Sequence, residues 1–97
     1  MDERRERFVG LRTDAQLQAA ELAFELGALD RACDLVNAVL EADPYREAGW
    51  RLKMRVAAAF GDDDAVIRTY RDLKRALTEI GAAPASGSRK LLDALRR

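Results

Sequence analysis

Histidine is absent from this 97-residue chain, and cysteine occurs once, at Cys33. A single cysteine excludes a disulfide within the chain, and the usual zinc-ligand sets cannot be assembled without histidine. The sequence also has no glycine-rich phosphate loop. The usual residue sets for acid–base and nucleophilic catalysis are therefore missing, and we expect neither an enzyme nor a bound metal or cofactor.

Residues that favour β-structure are also few. Val and Ile together number seven, against 13 Leu and 18 Ala, and this balance favours helix over sheet. No apolar run approaches the roughly 20 residues that a membrane-spanning helix needs, and the charged residues after Met1 are unlike a signal peptide. These features predict one all-α domain over residues 1–97, located in the cytoplasm and without a membrane partner.

Residues typical of helix ends divide the chain into segments. Thr13–Gln16 has the pattern of a capping box, which predicts a helix start. Gly27 and Gly61 fit helix ends, and Pro44 fits a first helical turn. Asp62 fits the N-cap of a further helix. The predicted helices are residues 14–26, 29–42, 44–60, 63–80 and 88–96, with a connector over residues 81–87. Residues 1–12 are either flexible or form a short charged helix. That helix would cover residues 2–9, bury Phe8 and end near Gly10.

Apolar residues recur at helical spacing in each segment. The first predicted helix has two adjoining apolar stripes, so we expect it to pack on two sides; they are Leu17, Ala20 and Phe24, and Ala19, Leu22, Ala23 and Leu26. The third is apolar nearly all round and should be the most buried, with Trp50 between helical pairs. The inward residues of the last two helices are predicted to be Val66, Ile67, Tyr70, Leu73, Leu77, Ile80, Leu91, Leu92 and Leu95.

A shift of 34 residues superposes the first helical pair on the second. Leu26-Gly27 falls on Phe60-Gly61, and Ala23 falls on Ala57. This is the tetratricopeptide period. It predicts an array of two antiparallel helical hairpins, followed by a C-terminal capping helix, in which the first helix of each pair lines the concave face.

A longer pattern runs through the second half of the chain. It consists of residues 43–55, with Asp43-Pro44 and Trp50, followed by Gly61, Ala65, Tyr70-Arg71, Leu77, Gly81, Pro84, Ser88-Arg89, Leu91 and Leu95-Arg96. In order and spacing this pattern resembles the bacterial transcriptional activator domain, the tetratricopeptide-like module of SARP-type antibiotic regulators, over about residues 11–97. The resemblance implies an all-α partner-binding, dimerising or regulatory role in transcription.

In that family the module normally follows a winged-helix DNA-binding domain, for which these 97 residues have no room. We therefore expect no specific DNA binding by this chain alone. The favoured function is a protein-interaction or regulatory module of a bacterial transcriptional regulator, acting through dimerisation or partner recruitment. The alternative is a general tetratricopeptide-type peptide adaptor unconnected with transcription. A winged helix encoded directly upstream would favour the first function.

Three charged residues are candidates for partner binding. Arg51 and Arg55 are spaced i, i+4 on the third predicted helix, which places them on one face. Arginine can hold a carboxylate through two hydrogen bonds, so an acidic peptide, or the acidic half of a second copy, is the predicted ligand. Glu21 on the first helix either belongs to the same surface or pairs with these arginines within the chain. An internally paired or solvated face is the competing interpretation.

The charges also divide by position along the chain. Residues 1–50 carry a net charge of −5 and residues 51–97 a net charge of +5. Two halves of opposite net charge either attract each other within the folded chain or orient its contact with a partner. A basic stripe on the fourth helix is a second candidate contact surface, for DNA phosphate or an acidic protein, although interleaved acids favour a solvated flank; it comprises Arg68, Arg71, Lys74 and Arg75.

Overall fold

The computed structural model describes the backbone of residues 3–97 and the side chains of residues 10–97. Five helices cover most of this part: α1 (Glu3–Glu25), α2 (Leu29–Ala42), α3 (Glu47–Ala59), α4 (Asp63–Thr78) and α5 (Ser86–Leu95). No strand occurs in residues 3–97, and none of the described helices is long and apolar enough to cross a membrane. The predicted all-α fold is confirmed.

The helices form two hairpins and a cap. α1 packs on α2 and α3 packs on α4, while α2 contacts α3 and so joins the hairpins. α5 lies against both α3 and α4. The short connections between the helices of each pair make the pairs antiparallel. The molecule is therefore the predicted tetratricopeptide-like array.

The turns inside the two hairpins have the same geometry. Gly27 and Gly61 have φ angles of 77° and 76°, a region that glycine adopts without the cost of a Cβ atom. In each turn the N–H of the residue after the glycine donates to the carbonyl oxygen of the residue five positions before that donor, at 2.8 and 3.1 Å. This is a Schellman motif, which satisfies carbonyls at the helix end. Its recurrence after 34 residues, in the corresponding turn of each hairpin, agrees with the repeat.

The predicted start of the first helix is wrong. α1 begins at Glu3 and passes through Gly10 and Thr13 without interruption. Thr13 is buried within the helix, and its hydroxyl donates to the carbonyl oxygen of Gly10 at 2.9 Å. A threonine hydroxyl can bond backward in this way inside a helix, so the residue that suggested a cap serves the helix interior. The predicted burial of Phe8 lies outside the described side chains.

The third and fourth helices are shorter than predicted. Pro44 lies in a turn ahead of α3 and not at its first position, because the backbone N–H of Tyr45 bonds to the side chain of Asp43 at 3.1 Å. α4 ends at Thr78, so Ile80 lies beyond it and is 54% exposed; its predicted burial is wrong. The predicted N-cap role of Asp62 is confirmed, since its side chain accepts the N–H of Ala65 at 2.9 Å.

Among the described side chains, two apolar clusters form most of the core. The larger lies between α1, α2 and α3, and its buried residues are Leu17, Ala20, Ala23, Ala32, Val36, Val39, Leu52 and Val56. The smaller joins the hairpins and consists of Leu40, Trp50, Leu73 and Leu77. The predicted burial of Trp50 between the helical pairs is confirmed.

The predicted two-sided packing of α1 is wrong. Its first stripe packs into the core, but in the second stripe Ala23 alone is buried, and Ala19, Leu22 and Leu26 are exposed. No other helix of the described chain covers this outer face, because α1 is the end of the array and its contacts are with α2 and α3. Helical periodicity reveals an apolar face without showing whether the chain itself covers it.

Candidate protein-interaction surfaces

A groove lies between α1 and α3, the first helices of the two hairpins. It has a volume of about 330 Å³ and is lined by Glu21, Phe24, Glu25, Leu52 and Arg55. Phe24 and Leu52 form an apolar floor that continues into the larger core cluster. The charged residues form its rim and are exposed. Glu21 and Arg55, two of the three residues predicted for partner binding, thus line one surface, which we call the α1–α3 groove.

Arg51 has different surroundings from Arg55. Its Nη1 atom lies 3.3 Å from the hydroxyl oxygen of Ser88 and 3.8 Å from Oε2 of Glu47. These contacts direct Arg51 toward α5, whereas Arg55 lies beside α1. The i, i+4 spacing therefore does not bring the two guanidinium groups into one groove.

Glu47 holds the start of α5 from a distant part of the chain. Its carboxylate accepts the N–H of Ala85 at 3.0 Å and the hydroxyl of Ser88 at 2.6 Å. Ala85 is the N-cap of α5 and offers no side-chain hydrogen bond of its own. Glu47 thus supplies the capping acceptor that helix starts require. Sequence reasoning missed this role because the partners are 38 and 41 residues apart.

We expect Glu47→Ala to lower the free energy of unfolding by about 1–3 kcal/mol, because it removes a charged acceptor from two donors, one of them on buried Ser88. The loss should be greatest in α5, whose amides should exchange with solvent faster. Hydrogen exchange and urea unfolding would measure both effects. Glu41→Ala is the matched control, since this carboxylate is exposed and should change stability by less than about 0.5 kcal/mol. Unchanged protection of α5 in Glu47→Ala would contradict the capping role.

A second groove lies between α4 and α5 and contains part of the predicted basic stripe. It has a volume of about 200 Å³ and is lined by Ile67, Tyr70, Arg71, Lys74, Leu92 and Arg96. Arg96 was not predicted, because its proximity depends on how α5 packs. Arg68 is exposed elsewhere on α4, and Arg75 lies 3.9 Å from Asp72 in an exposed pair. The four predicted stripe residues thus do not form one site, and we call the surface around Arg71, Lys74 and Arg96 the α4–α5 groove.

A third depression is mostly apolar and lies beside Cys33, Val56 and Phe60, with a volume of about 190 Å³. The Cys33 sulfur is half-buried and accepts a weak hydrogen bond from Asn37 at 3.7 Å. Among residues whose side chains are described, no group of three His, Cys, Asp or Glu is placed to hold a metal ion. Its lining also includes the charged residues Lys53 and Asp62.

Stacked antiparallel hairpins with grooves between their helices define a helical-repeat domain of the tetratricopeptide type. The family model for the bacterial transcriptional activator domain matches residues 1–96. The chain therefore belongs to that family, as its sequence resemblance indicated, and is a domain of the kind found in bacterial transcription regulators. No curated protein and no solved structure matches the chain.

Proposed function

We propose that this domain serves transcription regulation as a protein-interaction module and that the α1–α3 groove binds an extended segment of a partner protein. The observation that carries the proposal is an apolar floor of Phe24 and Leu52 with Arg55 and Glu21 on its rim. Family membership favours this role over that of a general peptide adaptor.

The groove combines the two features that peptide recognition uses. Transfer of an apolar side chain of the partner from water to this apolar floor favours binding, and the larger core cluster supports the floor from below. Arg55 is exposed, so its guanidinium group can hold a carboxylate through two hydrogen bonds. The favoured ligand is therefore a segment with an acidic residue next to an apolar anchor.

The acidic side of the rim restricts the partner further. Glu21 and Glu25 lie on α1, opposite Arg55 on α3. A strongly acidic segment would be repelled on the α1 side, whereas a basic side chain there would be attracted. We therefore propose a partner of mixed charge, with its acid toward α3. Arg51 contributes by holding α5 against α3, outside the groove.

Selection from a display library of short random peptides would test this function. Enriched peptides should contain an acidic residue beside an apolar one. Arg55→Glu should weaken their binding by about tenfold or more, because a charge-assisted hydrogen bond contributes about 1.5–3 kcal/mol. Melting should stay close to that of the parent, since Arg55 is exposed.

Arg75→Glu is the matched control, because Arg75 is an exposed arginine of α4 outside both charged grooves. It should leave peptide affinity within about twofold, a difference of about 0.4 kcal/mol. Two results would contradict the proposal. One is a library without any enriched peptide, and the other is a set of enriched peptides that bind Arg55→Glu as tightly as the parent.

A further inference from the structure

An apolar stripe covers the outer face of α1. Leu11, Leu22 and Leu26 are 62%, 57% and 75% exposed, and the exposed Ala15 and Ala19 lie between them on the same side of the helix. We call these five residues the outer stripe. The terminal units of helical-repeat proteins normally have a polar outer face, which keeps them soluble. This end of the array lacks such a face.

The charges beside the outer stripe are mostly negative. Glu21 and Glu25 follow one edge of it, as the periodicity of 3.6 residues per turn requires, whereas Asp14 on the same edge is paired with Arg46 of the same chain. Within residues 10–25 the one basic residue is Arg12. The surface is therefore an apolar stripe with an acidic edge, and its complement is an apolar surface with a basic edge.

The opposite end of the same molecule carries that complement. In the α4–α5 groove an apolar floor lies beside three cationic side chains, those of Arg71, Lys74 and Arg96. The net charges of −5 over residues 1–50 and +5 over residues 51–97 agree in sign with these two surfaces. The two ends of one chain are thus matched in both apolar character and charge.

An antiparallel, two-fold symmetric contact between two outer stripes matches less well. If two α1 helices pack antiparallel about a two-fold axis, the same edge of each helix meets its copy. The edge with Glu21 and Glu25 would then lie against an identical acidic edge, which is repulsive. A contact between opposite ends pairs acids with bases instead.

We propose that the outer stripe of one copy docks on the α4–α5 groove of a second copy, so that the domain associates head to tail. Because it names a second copy as the partner, this inference rests on the proposed protein-interaction function. The contact uses the α4–α5 groove and not the α1–α3 groove. A head-to-tail contact that does not close on itself builds open chains. The average mass should therefore increase with concentration without stopping at a dimer.

Sedimentation equilibrium of two double variants would test this arrangement. Leu22→Gln with Leu26→Gln removes two of the three leucines of the outer stripe and keeps a good helix former, and Arg71→Glu with Lys74→Glu reverses the groove's charge. Each variant alone should be monomeric at concentrations at which the parent associates. An equimolar mixture should form a one-to-one dimer, because each variant keeps the surface that the other lacks.

Two control variants distinguish this contact from nonspecific association. Phe60→Gln removes an equally exposed apolar side chain outside both surfaces, and Arg75→Glu reverses a charge outside the groove. Both should associate like the parent. Raising salt from about 0.1 M to about 1 M should weaken the association severalfold, since it shortens the Debye length from about 10 Å to about 3 Å. If the charge-reversed variant does not fold, Arg71→Ala with Lys74→Ala replaces it.

The possible results distinguish the head-to-tail contact from the peptide-binding function of the α1–α3 groove. If the groove variant associates by itself as strongly as the parent, the contact is symmetric through α1 and the head-to-tail arrangement is wrong. A parent that is monomeric up to sub-millimolar concentration also overturns it, and if that monomer still binds selected peptides, the function proposed for the α1–α3 groove stands. A parent that associates as described but binds no peptide contradicts that function alone.

Discussion

Replacing Trp50 with alanine should lower the free energy of unfolding by about 3–5 kcal/mol, the usual effect of removing a buried tryptophan. Trp50 is 8% exposed and packs with Leu40, Leu73 and Leu77 where the hairpins meet. Its indole N–H also donates to the carbonyl oxygen of Pro44 at 2.7 Å, which ties the turn ahead of α3 to that helix. Small domains have about 5–15 kcal/mol in total, so the variant should lose a large fraction of the stability of the fold.

Urea unfolding followed by circular dichroism would measure the loss. Trp50→Phe is an informative comparison, because it keeps an apolar ring but removes the donor to Pro44, and it should be intermediate between alanine and the parent. Phe60→Ala is the control for an exposed aromatic residue, at the end of α3. An unfolding midpoint for Trp50→Ala within error of the parent would mean that this junction does not stabilise the fold.

Leu73→Ala should lower the free energy of unfolding by about 2–5 kcal/mol. Leu73 is completely buried on α4 and belongs to the same cluster as Trp50. The deletion leaves a cavity between the hairpins that rigid neighbouring helices can fill only in part. Because the two residues share a cluster, the losses for Leu73→Ala and Trp50→Ala should not add when combined.

Ile80→Ala is the matched control for Leu73→Ala, because it also shortens a branched aliphatic side chain near the end of α4 but at an exposed position. It should cost no more than about 0.5 kcal/mol. The sequence predicts equal burial for the two residues, whereas the structure separates them. Equal losses in urea unfolding would contradict the placement of Ile80 outside the core.

The helix ends show which parts of the fold local sequence can predict. Gly27, Gly61 and Asp62 were predicted correctly because each acts on backbone groups within a few residues of itself. The start of α1 was predicted wrongly because a threonine hydroxyl can satisfy either an N-terminal N–H or a carbonyl within the helix. At Thr13 the neighbouring packing favours the second, and the local pattern is the same for both.

The candidate sites also combine contacts that the sequence predicts with contacts that depend on how distant helices pack. Glu21 and Arg55 could be predicted as neighbours because the 34-residue repeat places α1 beside α3. The direction of Arg51 depends on Ser88, and Arg96 reaches the α4–α5 groove because of how α5 docks. These contacts join residues far apart in sequence through a connector without regular structure, which periodicity does not describe.

The central claim is that the α1–α3 groove is a protein-binding surface, and NMR titration of the whole chain with a selected peptide tests it most directly. The largest amide shifts should fall around Glu21, Phe24, Leu52 and Arg55, and Arg55→Glu should abolish them at the same peptide concentration. Shifts confined to the depression around Cys33 and Phe60, or unchanged in Arg55→Glu, would contradict the claim.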